Sequence, residues 1–247
     1  MLEKQIEIET RDGLMTTFIC RPERNAPHPV VLFYMDAWGI REELREMVRR
    51  YATVGYYVVL PNLYYRSGIL EPGPIPYWDG TGTPPAHPII EARAALTITR
   101  VMTDTEALLH YLRADSSARA GAMGVVGYCM SAQFAINAAA QFSDRISAAG
   151  SIFGTALMTS DSDSPHLAAR KTKAELYFAC AEKDAWAPLP MVQQLASELK
   201  NAAVNAEVEI YPGAEHAFAF PERPTYDKAS AERHWERMFA LFRRRLT

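Results

Sequence analysis

Short, continuously apolar segments recur along the chain and alternate with longer stretches of helical periodicity. Residues 29–35 spell PVVLFYM, and residues 56–61 and 122–127 spell YYVVLP and AMGVVG. A strand inside a parallel sheet is covered on both faces, so its sequence is an unbroken apolar run instead of an alternating one. The alternation of such runs with helices therefore predicts an α/β fold with a central, mostly parallel sheet flanked by helices.

The remaining elements extend the same pattern. At the N-terminus, Ile6 and Ile8 alternate with charged residues up to Asp12-Gly13, and residues 14–20 return as an apolar run. This predicts an opening antiparallel hairpin. Further strands are predicted at residues 146–153, 174–181 and 206–212. Helices are predicted at residues 41–53, 90–114, 130–141, 188–201 and 229–246.

Residues 62–88 interrupt this rhythm with repeated Pro and Gly among several aromatic residues. A loop of this length is uncommon inside a compact domain, and such loops are often functional. The segment is either an irregular surface excursion or a cover for the site. Because the chain shows neither internal repeats nor an interdomain linker, we expect a single domain spanning residues 1–247.

Composition excludes several classes of protein. Hydrophobic residues make up 49% of the chain and charged residues 22%, as in ordinary globular proteins. The formal net charge is −3, and the one basic cluster, residues 243–245, fits a solvated helix end, so no nucleic-acid partner is expected. The sequence has no apolar stretch long enough for a membrane span and no apolar core of a signal peptide in its opening residues. Three cysteines without a C-x-x-C pair predict a reduced, cytoplasmic setting and no metal site.

Cys129 lies where the apolar run 122–127 meets the helical stretch 130–141, in the sequence G-Y-C-M-S. Enzymes of the α/β-hydrolase type carry their nucleophile on such a strand-to-helix turn, which demands small residues on either side. Gly127 meets this need at −2, and Ser131 is a small substitute for a second glycine at +2. The alternatives are that Cys129 is only a buried side chain, or that Ser131 is the nucleophile.

Two further polar residues make the nucleophile interpretation stronger. Asp184 directly follows the predicted strand 174–181, and His216 follows the strand at 206–212. The carboxyl ends of parallel strands share one edge of the sheet, and Cys, Asp, His is the α/β-hydrolase order. A thiol nucleophile needs a base and a carboxylate that orients it. The other histidines are interpreted as surface or packing residues: His28, His87, His110, His166 and His234.

With G-Y-C-M-S, E-K-D-A-W-A-P and G-A-E-H-A-F in place, the chain resembles the dienelactone hydrolase (carboxymethylenebutenolidase-like) family over nearly its whole length. The segments FYMDAWGI and LPNLYYRSG and the last helix add to the likeness. The resemblance implies a single α/β-hydrolase domain with Cys129 as nucleophile, His216 as general base and Asp184 as orienting carboxylate. It also implies an oxyanion hole formed by the backbone N–H groups of Met130 and Ala37.

The resemblance extends to residues around the thiol and the substrate. The family places an acidic residue at the position of Asp36, where it contacts the thiol; this chain has Asp instead of the usual Glu. The family's substrate-carboxylate arginine after the histidine is replaced here by Phe220, so dienelactone itself is a doubtful substrate. Candidate pocket residues, cationic and aromatic, are Trp38, Tyr65, Arg66, Trp78, Arg93, Trp186 and Phe220.

Together these observations predict a cysteine-dependent esterase or lactonase that cleaves ester or lactone bonds of small molecules through a thioester intermediate. The protein would need no cofactor, would be monomeric or homodimeric, and would have neither a nucleic-acid nor a membrane partner. The alternative is a non-hydrolytic protein on the same fold that binds small molecules or senses redox conditions through the thiol.

Overall fold

The computed structural model describes residues 1–73, 83 and 86–246. The chain divides into two compact units, Met1–Gly121 and Ala122–Thr247, which are described separately below. The single-domain organisation stays a prediction. Trp78 and much of the second half of the Pro/Gly-rich segment lie outside the described residues, and so does the prediction that this segment covers the site.

The first unit opens with the antiparallel hairpin that the sequence predicted. Its strands lie in the order β1, β2, β4, β3, with β1 and β2 antiparallel, β2 and β4 antiparallel, and β3 and β4 parallel. The apolar runs form β3 and β4, in which every residue is buried. The bounds are Leu2–Thr10 for β1, Gly13–Arg21 for β2, Val30–Tyr34 for β3 and Tyr57–Pro61 for β4.

Helix α1, Glu42–Thr53, packs against β2 and β4. The single helix predicted at residues 90–114 is wrong, because two helices occupy this stretch: α2, Pro88–Ala94, and α3, Ile98–Ala114. The break has a local cause. Thr97 has an extended backbone, and its side chain accepts the N–H of Arg100, so it caps a new helix instead of continuing the old one.

The second unit contains a parallel sheet in the order β5, β6, β7, β8. Helix α4 packs against β5 and β6, α6 against β7 and β8, and α7 against β6 and β7. The strands are Met123–Tyr128, Ile146–Ile152, Glu175–Lys183 and Ala206–Glu215. The helices are α4 Ala132–Gln141, a short α5 Pro165–Ala168 that the sequence did not predict, α6 Leu189–Asn201 and α7 Lys228–Arg245.

Two strand glycines let α7 lie close to the sheet of the second unit. A Cβ on Gly124 would come within 2.6 Å of the Phe242 ring, and one on Gly150 within 2.5 Å of the Met238 side chain. Both partners are fully buried on α7. Gly124 and Gly150 therefore serve helix-to-sheet packing.

Candidate active site

Cys129 occupies a sharp turn between β5 and α4. Its φ is +54°, in the left-handed region that a residue with a side chain rarely adopts, and residues Cys129–Ser131 form one 3₁₀ turn before α4. A Cβ on Gly127 would lie 2.2 Å from the carbonyl oxygen of Ser131. The turn therefore excludes any larger residue at position 127. Cys129 as a residue is half-buried.

His216 follows β8 and connects two other polar side chains. Its Nε2 lies 3.2 Å from Sγ of Cys129, and its Nδ1 lies 2.7 Å from Oδ2 of Asp184. An ionised carboxylate can only accept a hydrogen bond, so Nδ1 carries the proton and Nε2 faces the sulfur. The structure thus brings together Cys129, His216 and Asp184, three residues that the sequence predicted to meet.

The carboxylate of Asp184 is held in place from its other side. Its Oδ1 accepts the backbone N–H groups of Trp186 at 2.8 Å and Ala187 at 3.3 Å. The residue is only 6% exposed. These donors hold the carboxylate in place, so its second oxygen is directed at His216.

The protonation of His216 follows from its surroundings. Burial lowers its pKa, but the facing Cys129 and the hydrogen bond with Asp184 raise it by more, and the pKa reaches about 10. The two other cysteines differ sharply from Cys129 in environment. Both are buried, and burial raises the pKa of Cys180 to about 12 and that of Cys20 to about 11. These two thiols are therefore unreactive at neutral pH.

Residues that the sequence analysis missed hold the imidazole and its backbone. Thr225 Oγ1 donates a hydrogen bond to the carbonyl of His216 at 2.7 Å, and Ala217, the next residue, has a φ of +70°. The Phe153 ring meets the imidazole edge-on at 5.3 Å between centroids, and the Trp186 ring lies at 6.4 Å. Of these, only Trp186 was predicted. Phe153 could have been suspected because it ends the apolar run 146–153 at the carboxyl edge of the sheet.

In the first unit, Asp36 closes a tight loop after β3. Its carboxylate accepts two hydrogen bonds from Arg41, at 2.7 and 3.1 Å, and one from the N–H of Trp38 at 3.1 Å. Tyr64 donates its hydroxyl to the carbonyl of Ala37 at 2.7 Å. The peptide between Ala37 and Trp38 is therefore held at both its N–H and its C=O. The thiol-modulating role of Asp36 stays a prediction.

The two cationic pocket candidates of the first unit differ in their surroundings. Arg66 donates two hydrogen bonds to the buried Asp104, at 2.9 and 2.7 Å, and one to Asp12 at 2.8 Å, and its guanidinium lies 4.5 Å from the Tyr65 ring. Tyr65 donates to Asp104 as well, at 2.9 Å. These pairs favour a structural role for Arg66 and Tyr65. Arg93 lies half-buried on α2.

Phe220 and Ser131 are both enclosed. Phe220 is 1% exposed, with its ring packed against Tyr128 at 5.6 Å and Phe153 at 5.2 Å. This placement favours packing over direct lining of a pocket. The Ser131 hydroxyl is fully buried and finds no hydrogen-bond partner within residues 1–73, 83 and 86–246, a position that disfavours it as the nucleophile.

Within residues 1–73, 83 and 86–246, no group of three or more His, Cys, Asp or Glu side chains could hold a metal ion. A cofactor-free reaction stays a prediction.

A cysteine on a strained strand-to-helix turn, followed in the chain by an aspartate and a histidine that each end a later parallel strand, is the arrangement of the α/β-hydrolases. Comparison with known sequences narrows this class. The model of the dienelactone hydrolase family matches residues 15–246, and the chain belongs to that family. The α/β-hydrolase fold and the family resemblance predicted from sequence are thereby confirmed.

Individual relatives cover most of this chain. Two proteins named "Putative carboxymethylenebutenolidase" are similar to it. The one from Methylorubrum extorquens is 23% identical, and the match covers 98% of this chain and 81% of the relative. The one from Escherichia coli K12 is 27% identical, and the match covers 96% of this chain and 84% of the relative. A crystal structure titled "Putative Dienelactone Hydrolase", from Klebsiella pneumoniae, superposes with a TM-score of 0.85 at 25% identity and covers 98% of each chain.

Family membership makes the chain a hydrolase of ester or lactone bonds, and it favours this function over a non-hydrolytic binder or thiol sensor. Among the helices of the described residues, none combines the length and the apolar character that a membrane crossing requires. The cytoplasmic location and the monomeric or dimeric state stay predictions, as do the roles assigned to individual site residues.

Proposed function

We propose that the protein hydrolyses small-molecule esters or lactones with Cys129 as the nucleophile, His216 as the general base and acid, and Asp184 as the carboxylate that orients it. The observation that carries this proposal is the continuous chain of contacts from Asp184 Oδ2 through both ring nitrogens of His216 to Cys129 Sγ, at 2.7 and 3.2 Å. Both distances are short enough for direct hydrogen bonding and proton transfer.

The first step is acyl transfer to sulfur. Once the thiol proton of Cys129 lies on His216 Nε2, Sγ forms a bond to the carbonyl carbon, whose oxygen becomes an oxyanion. When the oxyanion collapses, the bond between carbon and the leaving oxygen breaks, and His216 returns the proton to that oxygen. In a lactone the resulting alcohol stays attached to the acyl group. The product of the step is a thioester on Cys129.

The second step is hydrolysis of the thioester. His216 takes a proton from water, the hydroxide adds to the thioester carbonyl, and the carbon–sulfur bond breaks. Sγ leaves as a thiolate beside the protonated His216, which restores the resting pair. Asp184 stays ionised throughout and stabilises the imidazolium that forms in each step.

The oxyanion needs donors aimed at the carbonyl oxygen, and we assign the backbone N–H of Met130 to this role because it follows the nucleophile on the turn. The family resemblance adds the N–H of Ala37 as the second donor. Removal of one such donor costs about 3 kcal/mol of transition-state stabilisation in comparable enzymes.

The proposed substrates are small and weakly charged. The relatives are named as carboxymethylenebutenolidases, so enol-lactones of the dienelactone type should be among the substrates tested. The position of the substrate-binding arginine in the family holds Phe220 here, and Trp186 beside His216 is an aromatic neighbour. We therefore expect neutral esters and lactones to be cleaved faster than substrates that carry a carboxylate.

Turnover of a short-chain nitrophenyl ester by the wild type and by Cys129→Ala tests this proposal. We expect the variant to lose at least about 100-fold in kcat/KM, since no nucleophile remains, while its circular dichroism spectrum and Tm stay close to those of the wild type. Cys180→Ala is the matched control and should keep wild-type turnover. Wild-type activity of Cys129→Ala would refute the proposal. Ligand binding without turnover by the wild type would instead support the non-hydrolytic alternative.

A further inference from the structure

Phe153 has an unusual backbone conformation for a large residue. It is the first residue after β6, its side chain is fully buried, and its φ is +37°. A bulky residue in this region is an outlier that persists only when its surroundings hold it there, and such outliers cluster at functional sites. Cys129 and Ala217 are also in the left-handed region. Of these residues, Cys129 and Phe153 contact the imidazole of His216, and Ala217 follows it in the chain.

The turn that begins at Phe153 is bound to both neighbouring strands. The N–H of Phe153 donates to the carbonyl of Ala179 on β7 at 2.7 Å, and the N–H of Thr155 donates to the carbonyl of Cys129 at 3.2 Å. Gly154, between them, is closely packed, since a Cβ there would lie 2.6 Å from Cβ of Ala132. The turn is thus fixed against β7 on one side and against the cysteine turn on the other.

The ring of Phe153 is the centre of an aromatic cluster. It meets the imidazole of His216 at 5.3 Å with an interplanar angle of 69°. Edge-to-face contacts of this kind are directional and favour one ring orientation over others. The other rings in contact with Phe153 lie at 5.2 to 5.8 Å and belong to Phe218, Phe220 and Tyr128.

The hydrogen bond to Asp184 holds one atom of the His216 imidazole. It does not by itself fix the orientation of the ring plane. A change in the Cβ–Cγ torsion of His216 would carry Nε2 away from Sγ of Cys129. The buried Phe153 ring packs against the imidazole and so restricts this rotation. In catalysis, misplacement of a reacting group by about 1 Å can cost about 100-fold in rate.

We propose that Phe153 is a positioning residue: its ring sets the plane of the His216 imidazole, while its strained turn holds the carbonyl of Cys129 through Thr155. The turn at Phe153 thereby positions both Cys129 and His216. This inference rests on the proposed function of Cys129 and His216.

Phe153→Leu tests the inference, because it removes the ring and keeps an apolar side chain. Leucine is no better suited to a positive φ than phenylalanine, so the backbone strain stays. Phe218→Leu is the matched control. Phe218 is equally buried in the same cluster, and its ring contacts in the described residues are with Phe153, Tyr211 and His234. Both variants lose a similar amount of core packing.

Two readouts separate positioning from mere packing. We expect Phe153→Leu to lower kcat for a nitrophenyl ester by about 10-fold or more with KM within about twofold. We also expect iodoacetamide to alkylate Cys129 more slowly at a fixed, neutral pH, because a displaced imidazole no longer contacts Sγ. Phe218→Leu should lower Tm and leave kcat and the alkylation rate near wild-type values.

Equal effects of the two substitutions on kcat and on the alkylation rate would overturn the inference. If Phe153→Leu does not fold, Phe153→Met is measured in the same way, since its flexible side chain fills irregular space but presents no ring. Cys129→Ala is assayed alongside. If that variant stays active, the proposed function fails and the inference, which rests on it, is overturned with it, whereas an inactive Cys129→Ala with a wild-type-like Phe153 variant counts against Phe153 alone.

Discussion

The carboxylate of Asp184 and the imidazole of His216 are joined by a 2.7 Å hydrogen bond between Oδ2 and Nδ1. This bond keeps a proton on Nδ1 with Nε2 facing Cys129, and it stabilises the imidazolium form of the ring. Asp184→Asn keeps the size of the side chain and removes the charge. An asparagine amide can also donate to Nδ1 and so favour the wrong tautomer. We expect kcat to fall by about 10²–10⁴-fold.

The control for Asp184→Asn is Glu182→Gln, an amide substitution at an exposed residue two positions earlier in the same strand end. It should leave ester hydrolysis near the wild-type rate. If Asp184→Asn retained wild-type kcat, the orienting role of the carboxylate would have to be abandoned.

The ionisation of His216 gives a second prediction. Its pKa is raised to about 10, against burial, by Cys129 and by the hydrogen bond to Asp184. A proton NMR titration of the wild type should therefore show the His216 ring resonances shifting far above the usual range near 6.5. Cys129→Ala and Asp184→Asn each remove one cause, so each should lower the midpoint. A wild-type midpoint at or below 6.5 would show that burial outweighs both partners.

The raised pKa also has a consequence for stability. Because the folded pKa lies above the unfolded value, protonation of His216 stabilises the fold fully below about pH 6.5, and this contribution disappears as the pH rises through about 10. In urea unfolding, the wild type should exceed His216→Gln in free energy of unfolding by more at pH 6 than at pH 10.5. If the difference in free energy of unfolding between the two proteins grew with pH, protonation of His216 would not stabilise the fold.

The turn around Cys129 restricts the size of residue 127 more strictly than that of residue 131. A Cβ on Gly127 would lie 2.2 Å from the Ser131 carbonyl oxygen, a backbone atom that cannot move without opening the turn. Gly127→Ala should therefore destabilise the protein by about 1–3 kcal/mol and abolish hydrolysis. The measurements are Tm and initial rates on a nitrophenyl ester.

Ser131 provides the comparison for Gly127. Its buried hydroxyl has no hydrogen-bond partner among the described residues. Ser131→Ala removes an unsatisfied polar group, so we expect a gain of about 1 kcal/mol in stability and an unchanged kcat. Loss of activity in Ser131→Ala would revive the serine as a nucleophile.

The loop after β3 gives a prediction about the second oxyanion donor. Tyr64 holds the carbonyl of Ala37 at 2.7 Å, and the N–H of Ala37 is the proposed donor. Tyr64→Phe should lower kcat by about 10-fold, less than the loss of a donor itself, and leave KM nearly unchanged. Tyr34→Phe is the control: its hydroxyl is equally buried in the same unit and bonds to Thr105 at 2.6 Å. Equal losses in both variants would indicate a general effect on packing.

Part of this site could be predicted from sequence because it depends on chain order and strand ends. Cys129, Asp184 and His216 each follow an apolar run, and parallel strands bring such positions to one edge of the sheet. The contacts of Phe153 could not be predicted, because they depend on a positive φ that no sequence pattern specifies for a phenylalanine. The bonds of Asp36 to Arg41 depend likewise on the path of a short loop. The break at Thr97 was missed because helical periodicity continues across it, and only the cap reveals it.

The most direct test of the account is the identification of the acylated residue. Wild-type protein is mixed with a short-chain nitrophenyl ester, quenched in acid within the burst phase, digested and analysed by mass spectrometry. We predict a mass increase of one acyl group on the peptide that contains Cys129, sensitive to hydroxylamine as a thioester is, and its absence in Cys129→Ala. An acyl group on another residue, with turnover unaffected in Cys129→Ala, would contradict the central claim.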